Sequence, residues 1–286
     1  MKIVKKNPDA ALQILLKSVS DDRADWHGFI FLPAPMPDYE EMIAPPQHIS
    51  GRLHKLNTHA ASLANTLVKK SPPLKDGSAL IFSGGLVIVI VHADLYELYT
   101  GIAKKAGMQM SRIADLDSDR VEEQLAPFRK RIAVYDAVAD IHKVRGIGFR
   151  RSRHKDGVVL VIDNDKLTSA FIANLLKNKY DVVSVRDGEE GLCAYIKYAP
   201  NIVLLDILMP GIGGLRTLSA LRTIDESASV VIVTADDDDS NIFAAARAGA
   251  VGYLKKPLSK DKLLETIRDA PSMEKFSPAA KSTRKR

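Results

Sequence analysis

From Val158 to Arg268 the chain alternates short apolar runs with amphipathic segments, five times over. The runs are Val158–Ile162, Val182–Val185, Ile202–Leu205, Val230–Val233 and Gly252–Leu254. Ile202–Leu205, short and β-branched at its start, fits a strand buried on both faces of a parallel sheet. Helical patterns follow at Leu167–Lys177, Glu189–Tyr198, Leu215–Thr223, Ser240–Ala248 and Lys260–Arg268. Strands alternating with helices of this length imply an α/β fold with a doubly wound, five-stranded parallel sheet. Ala199-Pro200 and Gly249 stand where helices should end.

In such a sheet the loops after the strands converge on one edge, and ligands bind there. The unusual polar residues all fall in those loops. Asp163, Asn164 and Asp165 follow the first strand, Asp206 the third, Thr234 the fourth, and Lys256-Pro257 the fifth. Within NIVLLDILMPGIGG, Pro210, Gly211, Gly213 and Gly214 turn the strand into a loop. Taken alone, Asp206 is explained equally well as the cap of the next helix. Taken together, gathered carboxylates repel one another and need a cation, and oxygen-only donors favour Mg²⁺. A lysine and a hydroxyl facing the same point suit phosphoryl oxygens.

The ordered motifs DNDK, LLDILMPGIGG, VTA and GYLKKP make residues 156–270 resemble the receiver domain of two-component response regulators, with its flavodoxin-like fold. The resemblance implies that Asp206 is the phosphoacceptor, attacking a phosphohistidine on a histidine kinase or phosphotransfer protein to give an aspartyl phosphate. It implies Mg²⁺ held by Asp163, Asp206 and the backbone carbonyl of Leu208. Lys256 would pair with the acceptor and then with the phosphoryl group. Thr234 would bond a phosphoryl oxygen, and Tyr253 would swing with it. Lys256-Pro257 would be a cis bond that aims the lysine. The family usually has two adjacent acids after the first strand, whereas here the second is Asn164. An amide oxygen can ligate Mg²⁺ but brings no charge, so weaker metal affinity is expected. Asp165 is a candidate to compensate through a water. Asp236–Asp239 is an unusual run of acids, read as a solvated loop favouring the start of the next helix. The alternative places Asp236 beside the pocket, altering phosphate lifetime.

Residues 1–142 have no net charge and show mixed α and β patterning without a recognised motif. Helices are expected at Asp9–Ser18, Ser50–Lys69, from Asp94 to Lys105, and over Ser118–Lys143 with an interruption near Pro127. Strands are expected at Phe29–Leu32, Ala79–Phe82, Leu86–Val91 and Met108–Ile113, with Ser83-Gly84-Gly85 as a tight hairpin turn and Pro33–Pro46 as mostly loop. Residues 143–155, with six basic and no acidic residues, read as a linker, and 271–286 as a disordered basic tail. The net charge of +6 thus lies outside the folded units, which argues against a DNA-binding face. From charge alone, the linker could dock on the acidic receiver.

His54 and His59 fit a phosphotransfer histidine only loosely and read as ordinary helix residues, and 1–142 shows no catalytic constellation. One cysteine excludes an intrachain disulfide, and neither a leader nor a membrane span is evident, so a cytoplasmic protein is expected. Three functions remain in view. One is a regulator whose receiver controls residues 1–142, a protein partner or a homodimer. The second is an unphosphorylated docking scaffold. The third is an enzyme in 1–142 gated by the receiver; beyond self-catalysed phosphoryl acceptance and loss, enzymatic activity is open.

Overall fold

The computed structural model describes residues 1–19, 25–33, 39–43, 48–72, 77–235 and 238–276. Its contacts divide the chain into two units, one of Met1–Met42 with His48–Tyr135 and one chiefly of Asp136–Arg286.

The first unit contains β1 (Lys2–Val4), α1 (Pro8–Ser18), β2 (His27–Pro33), α2 (Tyr39–Ile43), α3 (Ile49–Lys70), β3 (Gly77–Ile81), β4 (Val87–Val91), α4 (Tyr96–Lys105), β5 (Met108–Ile113) and most of α5 (Ser118–Ala139). Its sheet has the order β1-β3-β4-β2-β5. β1 and β3 pair in parallel, and the other pairs among the described residues are antiparallel. Alternation decides which helix each side chain meets. Val87, Val89 and Val91 of β4 pack with Leu63, Leu67, Tyr99 and Ile102 of α3 and α4. Ile88 and Ile90 turn the other way, toward Leu12 and Leu16 of α1 and Val121 and Leu125 of α5.

Ser83–Gly85 is the expected tight hairpin turn, a single 3₁₀ turn joining the antiparallel β3 and β4. Gly84 and Gly85 have φ of 73° and 87°, where glycine carries no Cβ penalty. The three-residue β1 was not anticipated. The Pro33–Pro46 stretch is not loop throughout: Pro33 ends β2, and α2 covers Tyr39–Ile43. α5 continues through Pro127 without interruption and stops at Ala139. Asp140 then accepts from the Lys143 N–H at 3.2 Å and caps α6 (Ile141–Arg145).

Residues 143–155 are not a free linker. They form the end of α6 and then α7 (Ile147–Ser152). Arg150 donates to the carbonyls of Ile196 and Lys197 at 2.7 and 2.9 Å. Arg151 donates to Pro200 O at 2.8 Å, Ser227 Oγ at 3.0 Å and the Tyr195 hydroxyl at 2.6 Å, and pairs with Asp225. Basic residues thus meet carbonyls at a helix C-terminus, where the dipole favours cations. Most of these partners are carbonyl or hydroxyl oxygens, so the contact is less salt-dependent than docking by net charge would be.

The second unit continues with β6 (Val158–Ile162), α8 (Lys166–Leu176), β7 (Asp181–Val185), α9 (Gly188–Tyr198), β8 (Ile202–Leu205), α10 (Gly213–Ile224), β9 (Val230–Thr234), α11 (Asp239–Arg247), β10 (Gly252–Lys255) and α12 (Lys260–Asp269). Every strand pair is parallel, in the order β10-β9-β8-β6-β7. The order reverses around β6, between β7 and β8, which is the flavodoxin-like doubly wound pattern. Residues 271–276, expected to be disordered, form a 3₁₀ turn whose Met273 and Phe276 join the core with Leu263 and Ile267. Residues 277–286 lie outside the described residues.

Candidate functional site at the strand ends

Parallel registration sets Ile162 beside Leu205, so the next residues, Asp163 and Asp206, leave adjacent strands side by side. Asp206 N–H donates to Ile162 O at 2.9 Å, carrying the ladder one step past β8. On the far side, Lys255 registers with Thr234, and Lys256 N–H donates to Thr234 O at 2.8 Å. The Lys256–Pro257 peptide is cis. Sheet order thus brings Asp163, Asp206, Thr234 and Lys256 to one edge from four separate strands. Asp163, Asp206 and Thr234 are all buried.

Lys256 Nζ lies 2.8 Å from Oδ2 of both Asp163 and Asp206. Only the approach to Asp206 meets hydrogen-bond geometry, so Asp163 Oδ2 is a buried carboxylate oxygen with an ion pair but no hydrogen bond. The remaining oxygens take backbone donors: Leu208 N–H to Asp206 Oδ1 at 3.1 Å, and Asp165 N–H to Asp163 Oδ1 at 2.9 Å. Burial pushes the Asp163 carboxyl up, outweighing the pull of the Lys256 ammonium and the Asp165 N–H. Burial works against the Lys256 charge, but its two carboxylate partners more than offset this and hold the ammonium above its usual range.

Two carboxylates facing one ammonium leave an uncompensated negative charge in a poorly hydrated place, which a divalent cation would neutralise. The residues present therefore fit Mg²⁺, with oxygen donors throughout. Among the described residues no cluster of three or more His, Cys, Asp or Glu forms a metal cage. The set is two carboxylates supplemented by backbone and amide. Asn164 is exposed. Asp165 does not turn to the site: it caps α8, accepting from Leu167 N–H at 3.0 Å, Thr168 N–H at 3.3 Å and the Thr168 hydroxyl at 2.6 Å. The Thr168 hydroxyl and the backbone donors lower its pKa, which further commits its charge to the helix. Compensation by Asp165 for the missing acid is thus set aside.

Tyr253 lies in β10, half-buried and registered with Ile232. The Leu208 side chain points to solvent. Asp238 caps α11 through Ser240 N–H at 2.8 Å, as an acid at a helix start should. Asp236 and Asp237 lie outside the described residues. One contributor was missed. A Cβ on Gly214 would sit 2.1 Å from Asp206 O, so only glycine lets α10 begin against the acceptor's own backbone. The signal was present in the GIGG run, but turn propensity and close approach look alike in a sequence.

Residues 159–268 match the family described as the response regulator receiver domain. The nitrate/nitrite response regulator protein homolog of Haemophilus influenzae is 37% identical over 113 residues, 38% of this chain and 54% of that protein. This chain therefore spans about half the length of that relative. The chemotaxis protein CheY of Bacillus subtilis is 30% identical over 111 residues, 38% of this chain and 92% of that protein. A solved CheY-like receiver domain protein from Methanospirillum hungatei is 25% identical over 43% of this chain and 94% of its own, with a TM-score of 0.39. With 92% of the Bacillus subtilis CheY matched at 30% identity, and with the strand order and strand-end residues in place, the chain belongs to the response regulator receiver family.

Proposed function

We propose that Asp206 accepts a phosphoryl group from a phosphohistidine on a partner histidine kinase or phosphotransfer protein. The observation that carries this is Lys256 Nζ placed 2.8 Å from Oδ2 of both Asp163 and Asp206 at the carboxyl edge of a parallel sheet. An Asp206 oxygen bonds to phosphorus, the nitrogen–phosphorus bond breaks, and the imidazole leaves with that electron pair. Asp163, Asp206 and the Leu208 carbonyl would hold Mg²⁺, with Asn164 as a weaker donor. Bound there, the ion supplies charge neutralisation on the transferring oxygens. Lys256 pairs with the acceptor before transfer and with the phosphoryl group after it. Thr234, at the end of β9, bonds a phosphoryl oxygen, and Tyr253 follows its movement. The phosphorylated state then shifts an equilibrium of the receiver that controls residues 1–142 or a protein partner, with homodimerisation through the receiver as one route.

Incubation of the full chain with acetyl phosphate and Mg²⁺, followed by intact mass, tests the proposal. One phosphoryl group should appear on the wild type and none on Asp206→Ala. An unmodified wild type, or equal modification of both, would sink it. A second reading, a docking scaffold that is never phosphorylated, is favoured by Asn164 being neutral and exposed while Asp165 is spent on its helix. The same experiment separates the two.

A further inference from the structure

Residues 1–142 carry no net charge, yet the charges of the first unit are sorted by face. α3 has no acidic residue in its 22, and α4 has only Glu97. Both helices pack on the same side of the sheet, so their outer sides are neighbours. Lys55, Lys69, Lys70, Lys104 and Lys105 are exposed on them. None of the five is ion-paired among the described residues. Arg112, Arg129 and Arg151 elsewhere are each held by an acid. Arg52 is excluded from the set, because it donates to Met42 O at 2.8 Å.

Helical spacing puts Lys55, His59, Ser62, Thr66 and Lys70 on one stripe of α3. Between this stripe and α4 runs a groove of about 240 Å³ lined by His59, Ser62, Thr66, Lys70 and Lys105 over the buried Leu63 and Ile102. His59 Nε2–H donates to Ala106 O at 2.7 Å, tying the end of α4 to α3 and setting Lys105 beside the hydroxyls. Gly101 sits one turn before Lys105, in the interior of α4. A Cβ there would meet nothing within 4 Å. Glycine at such a place weakens the helix without any packing reason, but it admits close backbone approach from outside.

We propose that this α3–α4 face binds duplex DNA through its phosphate backbone. Lysines and hydroxyls along a helix are a phosphate-contacting set. Lys55 and Lys70 are separated by ~22 Å of helix, enough to reach phosphates on both sides of a groove ~12 Å wide. The α3 stripe has no Phe, Tyr or Trp on which unpaired bases would stack, and Tyr96 at the start of α4 already faces the Arg112 guanidinium at 6.0 Å, which disfavours single strands. The α3 stripe has no large apolar side chain, and on α4 the single exposed aliphatic, Leu98, is too little to enter a bilayer or to form the dry centre of a protein interface. Duplex DNA also presents a dense line of charge, one per ~1.7 Å of axis.

Fluorescence anisotropy of the full chain with a mixed-sequence duplex, titrated with salt, reads the proposal. Five phosphate contacts predict a slope of log affinity against log salt of roughly −4.5. Changing Lys69, Lys70, Lys104 and Lys105 together to Gln should bring the slope near −1 and weaken binding at least tenfold. The same four changed to Arg should keep both. Trp26, the single tryptophan, reports whether the first unit stays folded. Gly101→Ala should raise thermal stability while weakening binding severalfold. The basic tail is a competitor, so Lys281, Arg284, Lys285 and Arg286 are changed to Gln in a separate variant, which should retain most of the affinity. No duplex binding at low salt, or loss with the tail variant but not with the four-lysine variant, overturns the proposal. So does tighter binding to single-stranded RNA of equal length or to phosphatidylserine vesicles.

Discussion

Arg151 is the side chain whose removal should most change the second unit. Its side chain is 11% exposed and that of its partner Asp225 is 14% exposed. The guanidinium also bonds Pro200 O, Ser227 Oγ and the Tyr195 hydroxyl. Arg151→Ala strands Asp225 in a largely dry place. Breaking a buried pair by deleting one partner costs about 3–5 kcal/mol. Asp225 keeps the Tyr195 hydroxyl at 2.8 Å and Ser227 N–H and Oγ at 2.9 and 2.6 Å, which puts the loss at the lower end, about 3 kcal/mol. Removing the charge first, with Asp225→Asn, should reduce the effect of Arg151→Ala by about 1–2 kcal/mol. A urea series with pulsed hydrogen exchange, read by mass on peptides covering Val158–Leu205, isolates this unit. The pH dependence has a definite sign. Burial raises the Asp225 pKa, but Ser227, Arg151 and Tyr195 together lower it below its ordinary value. Its stabilisation is therefore full above the unfolded carboxylate pKa of about 3.9 and is lost as pH falls through the lower folded value. The gap between wild type and Arg151→Ala should narrow in the same window. A shift under about 1 kcal/mol, or one identical in the Asp225→Asn background, would refute the pairing as an energetic link.

Three further outcomes follow. Asn164→Asp adds a charge beside two carboxylates and should raise Mg²⁺ affinity roughly tenfold, worth about 1.4 kcal/mol; calorimetric titration with no change would show that residue 164 does not face the ion. Gly214→Ala drives a methyl into Asp206 O and should cost more than about 2 kcal/mol in urea and slow phosphoryl acceptance, whereas an unperturbed variant would mean α10 shifts freely. Cys193 should resist alkylation: burial, reinforced by Asp187, Glu189 and Glu190, pushes its thiol up to about 11, so at a pH near 8 only about one molecule in a thousand carries the thiolate. Reaction with iodoacetamide at the rate of a free thiol would contradict that burial.

The receiver half was legible because each of its features repeats locally. Five apolar runs at regular intervals, the central three buried throughout, leave little choice of topology, and topology alone gathers Asp163, Asp206, Thr234 and Lys256 at one edge. Asp165 was the hardest of the cluster to place, since the same sequence position serves a metal or a helix cap. Thr168, three residues on, decides for the cap by offering both N–H and hydroxyl. β1 could not be seen: three residues hold too little alternation to show a period, and its partner β3 lies more than seventy residues along.

The basic residues show why composition was the weakest guide. Counting along the chain put the positive charge in 143–155 and in the tail, and found none to spare in 1–142. Folding inverts both statements. Arg150 and Arg151 spend their donors on carbonyls and on Asp225, so much of the apparent linker charge is committed to holding α7 against the receiver. In the first unit the acids that balance the sum lie largely outside α3 and α4, on α5 for example, where Glu122 meets Arg129. Lys55, Lys69, Lys70, Lys104 and Lys105 are exposed and meet no acid among the described residues. A partner responds to the local field within about a Debye length, ~8–10 Å, not to a sum over 142 positions. Charge becomes informative about partners only once the fold has said which residues share a face.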